Sequence, residues 1–90
     1  MRVSVPKHRA IALSEKFCAQ LAQVARDARE EEGLSQNKEA QAGGLSCQMI
    51  GYVEKQMRTP SIDVYFRMAY GMGRKLSDLV AEAEKRAGIS

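Results

Sequence analysis

Apolar residues recur along this chain at intervals of three and four, the spacing typical of amphipathic helices. A first helix is predicted from about Glu15 to Glu32, with apolar positions at Phe17, Leu21, Val24, Ala25 and Ala28. The same spacing recurs over residues 62–72, at Ile62, Tyr65, Phe66, Ala69 and Met72. It also recurs from residue 76 onward, at Leu76, Leu79, Val80, Ala83 and Ala87. No segment alternates with the period of two that marks a strand, so the pattern predicts an all-α chain.

Five serines stand where helices would begin, because a serine oxygen can accept a hydrogen bond from the first turn of a helix. These predicted N-caps are Ser14, Ser35, Ser46, Ser61 and Ser77. Glycines supply the stops, at Gly33, Gly43 with Gly44, and Gly73. The result is five predicted helices, the second over about 36–43 and the third over Cys47 to Lys55. We expect residues 14–88 to form one domain and residues 1–13 to form a flexible basic arm.

Length and composition exclude several classes of protein. Ninety residues are enough for one small domain. No apolar run approaches the roughly 18 residues of a membrane span, and Ala10 to Leu13 is too short for a signal peptide, so we expect a cytoplasmic protein without membrane contact. Cys18, Cys47 and His8 lack metal-ligand companions, and no catalytic grouping of residues is present. We therefore expect no metal, no cofactor and no enzymatic activity. The net charge of +3 is compatible with nucleic-acid binding but equally with an ordinary soluble protein.

The predicted third helix separates its side chains into two faces when they are placed at 100° per residue. One face is mainly apolar and includes Met49, Ile50, Val53 and Glu54, so it should point to the core. The other face carries Cys47, Gln48, Gly51, Tyr52 and Lys55. It has no carboxylate to repel phosphate, and an amide or lysine can pair with base edges in the major groove of DNA. An exposed polar face is also what any soluble helix shows.

A longer pattern favours the DNA interpretation. Its elements are Gly33-Leu34-Ser35-Gln36, Ala40, Gly44-Leu45-Ser46, Ile50, Val53-Glu54 and Pro60-Ser61. At these offsets the chain resembles the Xre family of phage-repressor-like helix-turn-helix proteins over about residues 17–80. The resemblance implies a five-helix, lambda-repressor-like bundle in which helices 2 and 3 form the helix-turn-helix.

The resemblance also implies roles for individual residues. Cys47, Gln48 and Tyr52 match base-facing positions, next to Gly51, which would permit close approach. The starts of helices 2 and 3 and the loop after helix 3 would hold the DNA backbone, through Gln36, Asn37, Ser46, Lys55 and Arg58. The glutamine that heads helix 2 in this family either binds the backbone or supports a reading residue. Arms such as residues 1–13 can enter the minor groove, here through Arg2, Lys7 and Arg9, or can be plain solvated tails.

Two further residues stand out against the family pattern. Arg29 and Glu54 match a structural ion pair that fastens helix 1 to helix 3, the alternative being a merely solvated pair. Glu39 stands where the family usually has leucine. We expect Glu39 to be exposed at the edge of a weakly anchored helix 2, although it could face a partner or a nearby base.

The sequence therefore predicts a sequence-specific, double-stranded DNA-binding transcriptional regulator that acts as a homodimer on an inverted repeat. The alternative is a protein-binding module, such as an antitoxin or accessory subunit, anchored by Tyr52, Met57, Tyr70 and Met72. A side hypothesis concerns Cys47, whose thiol at a helix N-terminus would lie in the DNA interface and could make binding sensitive to oxidation.

Overall fold

The structure, a computed structural model, describes residues 7–89, and these form five helices without a strand. Their order is α1 (Lys7–Glu31), α2 (Gln36–Gly43), α3 (Cys47–Glu54), α4 (Ile62–Gly71) and α5 (Leu76–Arg86). The predicted all-α class and the number of helices are confirmed for this part of the chain. None of the helices described is long and apolar enough to cross a membrane.

The first helix is longer than the sequence predicted. Residues 7–13, which we expected to belong to a flexible arm, form the first two turns of α1, and Ser14 lies within the helix instead of capping it. No glycine or proline lies between Lys7 and Gly33, so nothing in this segment interrupts helix propagation. The arm prediction is therefore wrong for residues 7–13, while residues 1–6 lie outside the described residues.

Three of the five predicted serine caps are present. Ser35, Ser46 and Ser61 each accept a hydrogen bond from the backbone N–H three residues later, at 3.1, 3.1 and 3.4 Å. Ser77 does not cap α5, because that helix begins at Leu76 after Lys75, which makes no side-chain capping bond. The predicted glycine ends of the helices are confirmed. Gly33, Gly44 and Gly73 all have φ near +70°, a left-handed conformation that favours glycine at helix ends.

The core lies between α1 and the other helices. Its fully buried side chains include Ala25, Ile50, Val53, Met68 and Ala83. The predicted apolar stripes of α1 and α5 are confirmed, with Leu21, Val24, Leu79 and Ala87 also buried. In α4 the prediction fails at two positions, since Ile62 and Phe66 lie on the outer face and Met68 takes the core position instead.

Helices α2 and α4 pack through glycines. A Cβ atom placed on Gly43 would lie 2.5 Å from the carbonyl oxygen of Arg67, and one on Gly71 would lie 2.7 Å from that of Glu39. Real Cβ atoms do not come this close to a carbonyl oxygen. The backbones of α2 and α4 can therefore approach this closely only when both positions are glycine. Helix α2, expected to be weakly anchored, is instead held directly against α4.

Candidate nucleic-acid interface

Helices α2 and α3 have eight residues each and are joined by only Gly44, Leu45 and Ser46. Gly44 adopts φ 69°, and the N–H of Leu45 donates to the carbonyl of Ala40 at 2.8 Å, closing the end of α2. The side chain of Ser46 then caps α3 at once. The left-handed Gly44, the Leu45 hydrogen bond and the Ser46 cap together fix a tight turn between α2 and α3.

The two faces of α3 are separated as the sequence predicted. Ile50, Val53 and Glu54 are buried, whereas Cys47 and Gln48 are exposed and Gly51 and Tyr52 are half-buried. Lys55, the C-cap residue, is exposed as well. The outer face of α3 is therefore polar, accessible and free of carboxylates.

Three predicted contact residues form a connected cluster on this face. The amide nitrogen of Gln48 donates to the Tyr52 hydroxyl at 2.6 Å, and the guanidinium of Arg58 lies 5.6 Å from the centre of the Tyr52 ring. Such a cation–π contact holds the arginine beside the helix. The carbonyl oxygen and second N–H of the Gln48 amide stay available, which is the donor–acceptor pair that an adenine edge requires.

The turn after α3 places Arg58. Gln56 has φ 60°, the one positive φ at a non-glycine position among the residues described. The N–H groups of Gln56 and Met57 donate back to Val53 and Tyr52 at 3.0 and 2.9 Å, so the chain reverses tightly before Arg58. The sequence predicted only a loop here, because glutamine gives no signal for a left-handed conformation.

The remaining predicted backbone-contact residues lie at the starts of α2 and α3. Asn37 and Ser46 are exposed, and Lys38 is exposed beside them. Gln36 is half-buried, and its amide nitrogen donates to Glu54 Oε1 at 3.0 Å. The Gln36 oxygen points towards Gly51, since a Cβ on that glycine would lie 3.6 Å from it. Gln36 thus contacts α3 at both Glu54 and Gly51 and retains one N–H for another acceptor.

The ion pair expected between Arg29 and Glu54 is present and bidentate. Arg29 Nε and Nη2 donate to the two carboxylate oxygens of Glu54 at 2.7 and 3.0 Å, and Nη1 donates to the carbonyl of Leu34 at 2.8 Å. Hydrogen bonding to Glu54 raises the pKa of Arg29. This arginine ties α1 to the end of α3 and to the chain entering α2, so the pair is structural and not solvated.

Glu39 is placed differently from the prediction. Its side chain is fully buried, at 0% exposure, and neither carboxyl oxygen has a hydrogen-bond partner among the described residues. The nearest cation, Arg29, lies 3.9 Å away and is already bound to Glu54. Burial, reinforced by the like charge of Glu54, raises the pKa of Glu39 to about 7. Glu39 is therefore not exposed at the helix edge, and its carboxyl does not lie on the outer surface of α2.

Other sequence-based candidates are scattered. Lys7 and Arg9 are exposed on the first turn of α1, and Arg2 lies outside the described residues. Of the anchors proposed for a protein-binding module, Met57 and Tyr70 are exposed and Tyr52 is half-buried. Met72 is only 4% exposed and belongs to the core, so it cannot serve as an anchor.

Cys47 is exposed, as the hypothesis of a thiol in the DNA interface requires. Within residues 7–89, no group of His, Cys, Asp and Glu side chains could hold a metal ion.

The chain matches no protein-family model, no curated protein and no solved structure with which it was compared.

Proposed function

We propose that this protein is a cytoplasmic transcriptional regulator that binds double-stranded DNA in a sequence-specific manner, with α2 and α3 as a helix-turn-helix. Two short helices joined by a three- or four-residue turn containing glycine are typical of this motif, and its second helix enters the major groove. The chain has a three-residue turn with Gly44 in the left-handed conformation.

The observation that carries the proposal is the rigid presentation of the outer face of α3. Glu54 at the end of α3 is held by Arg29 from α1 and by Gln36 from α2, so three helices fix one orientation of the reading face. On that face, Gln48 is already ordered by its hydrogen bond to Tyr52, and Arg58 lies against the Tyr52 ring at the edge of the face. A preorganised donor and acceptor set is what base recognition requires, because less side-chain freedom is lost on binding.

Phosphate binding is proposed for the residues that flank the reading face. Lys38, Lys55 and Arg58 are exposed cations around α3, and Ser46 and Asn37 add neutral donors at the helix starts. The carboxylates that α2 and α3 themselves carry, Glu39 and Glu54, are both buried. The outer surface is therefore suited to a polyanion even though the net charge of the chain is small.

Alanine substitutions should separate base reading from phosphate binding. Gln48→Ala is expected to weaken binding to a selected site by about 1–3 kcal/mol and to relax the preference at one base pair. Lys55→Ala and Arg58→Ala should weaken binding to all duplexes alike and lower the slope of log affinity against log salt by about 1 each. Lys85→Ala, an exposed lysine on α5, is the matched control and should change neither quantity.

The measurement begins with selection of bound sites from random duplexes, followed by titrations of each variant at several salt concentrations. Equal loss of affinity for selected and random DNA in Gln48→Ala would show that α3 does not read bases. The absence of any DNA binding at low salt would instead favour the alternative of a protein-binding module, for which exposed Met57 and Tyr70 are the anchors.

Gly51 offers a second test, because a glycine inside a helix destabilises it by about 1 kcal/mol relative to alanine. Intramolecular packing does not explain this glycine, since an added Cβ would make only an ordinary contact with Gln36. Gly51→Ala is thus expected to raise the free energy of unfolding by about 0.5–1 kcal/mol while weakening DNA binding, because the methyl group would separate α3 from the groove. Urea unfolding and DNA titration measure the two effects, and unchanged DNA affinity would contradict close docking at this position.

A further inference from the structure

Helix α4 carries an apolar stripe that faces away from the core. Ile62, Phe66 and Tyr70 follow one another at intervals of four, so they share one face of the helix, and they are 78%, 55% and 70% exposed. The rings of Phe66 and Tyr70 stack with their centres 6.4 Å apart, which arranges them as one surface. Three large apolar side chains in a row on an exposed helix face mark an interaction surface.

We propose that this α4 stripe is a homodimer interface, on which α4 of a second copy packs in the antiparallel direction. The inference adds a dimer surface to the proposed DNA-binding function, but its test needs no DNA. An antiparallel pair related by a twofold axis near Phe66 sets Phe66 against its own copy and Ile62 against Tyr70 of the other chain.

Charge at the edge of the stripe favours a second copy in this orientation. Asp63 and Arg67 lie along the same side of the stripe, one turn apart, and are both exposed enough to reach a neighbour; within the chain they are 3.8 Å apart. In the antiparallel arrangement Asp63 of each chain faces Arg67 of the other, which gives two reciprocal ion pairs. A parallel twofold pair would place the two Asp63–Arg67 edges on opposite sides of the interface, so neither ion pair could form, and only the antiparallel orientation matches these charges.

Among residues 7–89, the other exposed large apolar side chains, Ile11 and Met57, stand singly. The stripe of α5 is buried, at Leu79, Ala83 and Ala87, so the last helix does not present an apolar face to a second copy. Ile11 on α1 is exposed, but as a single large side chain it forms no stripe. The face of α4 is therefore the apolar surface of residues 7–89 that is best suited to self-association.

The size of the stripe predicts a weak dimer. A stable interface buries roughly 800 Å² per partner, and one ten-residue helix supplies only part of that area. We expect dimerisation in the micromolar range or above in the absence of DNA, with tighter association when two adjacent half-sites bring the chains together.

Sedimentation of the purified chain over a wide concentration range tests the proposal. The wild type should change from monomer to dimer as concentration rises, and Phe66→Glu should weaken that association at least about tenfold. Ile11→Glu, which places the same charge on another exposed apolar residue, is the control and should associate like the wild type. A wild type that stays monomeric throughout, or a Phe66→Glu variant that associates normally, would overturn the proposal. Specific DNA binding by such a monomer would leave the proposed function intact.

A charge exchange tests the orientation. Asp63→Arg and Arg67→Glu should each self-associate poorly, because each puts like charges against one another across the interface. Mixed together, the two variants should form a heterodimer that has two ion pairs, one in the original sense and one with the charges exchanged, and association should recover to near the wild-type level. Circular dichroism of each variant confirms that the helices are retained. A mixture that associates no better than its components would exclude the antiparallel pairing.

Discussion

Replacing Glu39 with glutamine is expected to stabilise the protein at pH 8 by about 3 kcal/mol. The side chain is fully buried and its oxygens have no hydrogen-bond partner within residues 7–89, so ionisation of Glu39 opposes folding. Its pKa is about 7 in the folded chain against an ordinary value of 4.5. At about 1.4 kcal/mol per pKa unit, this difference corresponds to the expected gain.

The sign of the pH dependence follows from the raised pKa. Below pH 4.5 the carboxyl is protonated in both the folded and the unfolded chain, so the group does not oppose folding there. Between pH 4.5 and 7 the folded chain binds the proton more tightly, and stability falls as pH rises; above 7 the loss is complete. The difference between Glu39→Gln and the wild type should therefore be small at pH 4.5, grow towards pH 7 and then stay constant.

Urea unfolding of both chains from pH 4.5 to 9 measures this difference. Glu84→Gln, which changes an exposed glutamate on α5, is the control and should leave the profile unaltered. Glu39→Leu should stabilise further, since it also removes the unpaired buried oxygens. A Glu39→Gln profile parallel to that of the wild type would show that Glu39 does not titrate in this range.

Removing Arg29 should have the opposite and larger effect, a loss of about 3–5 kcal/mol in Arg29→Met. The substitution deletes the bidentate pair with Glu54 and the bond to the Leu34 carbonyl, and it leaves two buried carboxylates without a cation. Total stabilities of small domains are about 5–15 kcal/mol, so the loss is a large share of the whole. Arg29→Lys keeps the charge but cannot reproduce the planar two-point contact, so we expect an intermediate loss.

A second arginine provides the comparison. Arg74 also binds two carboxylates, those of Glu31 and Glu32 at 3.0 and 2.9 Å, but both glutamates are exposed to solvent. Arg74→Met should lower the free energy of unfolding by less than about 1 kcal/mol, because water screens and replaces these contacts. Equal losses in Arg29→Met and Arg74→Met in urea unfolding would show that burial does not strengthen the Arg29 network.

Local signals predicted much of this fold correctly. The apolar spacing of α1 and α5 and the caps at Ser35, Ser46 and Ser61 depend on residues within one turn of each other, and a sequence displays those directly. The separation of α3 into a buried and an exposed face was predicted correctly for the same reason. The start of α1 was missed because Ser14 is a good capping residue in isolation, while an uninterrupted helix on both sides of it decides the outcome.

The errors at Glu39 and Phe66 have a tertiary cause. A glutamate next to Lys38 on a short helix gives no sign of burial. Its backbone lies against Gly71 of α4 and its carboxyl lies towards Arg29 of α1, contacts that only the folded chain brings together. On α4, Met68 and Phe66 are both consistent with an apolar pattern, and only the packing of α4 in the folded chain shows that Met68 faces the core and Phe66 the outside. Likewise, the contact between Gln48, Tyr52 and Arg58 depends on the backbone at Gln56, which carries no sequence signal.

The glycine contact between α2 and α4 limits how this sequence can change over evolutionary time. A side chain at Gly43 or Gly71 would collide with backbone, which cannot move aside as a flexible side chain can. Substitution at either position therefore requires the two helices to separate, and that separation would displace the α2 backbone at Glu39, whose carbonyl lies against Gly71. Homologous chains that keep this packing should retain both glycines, even though neither glycine lies on the proposed reading face.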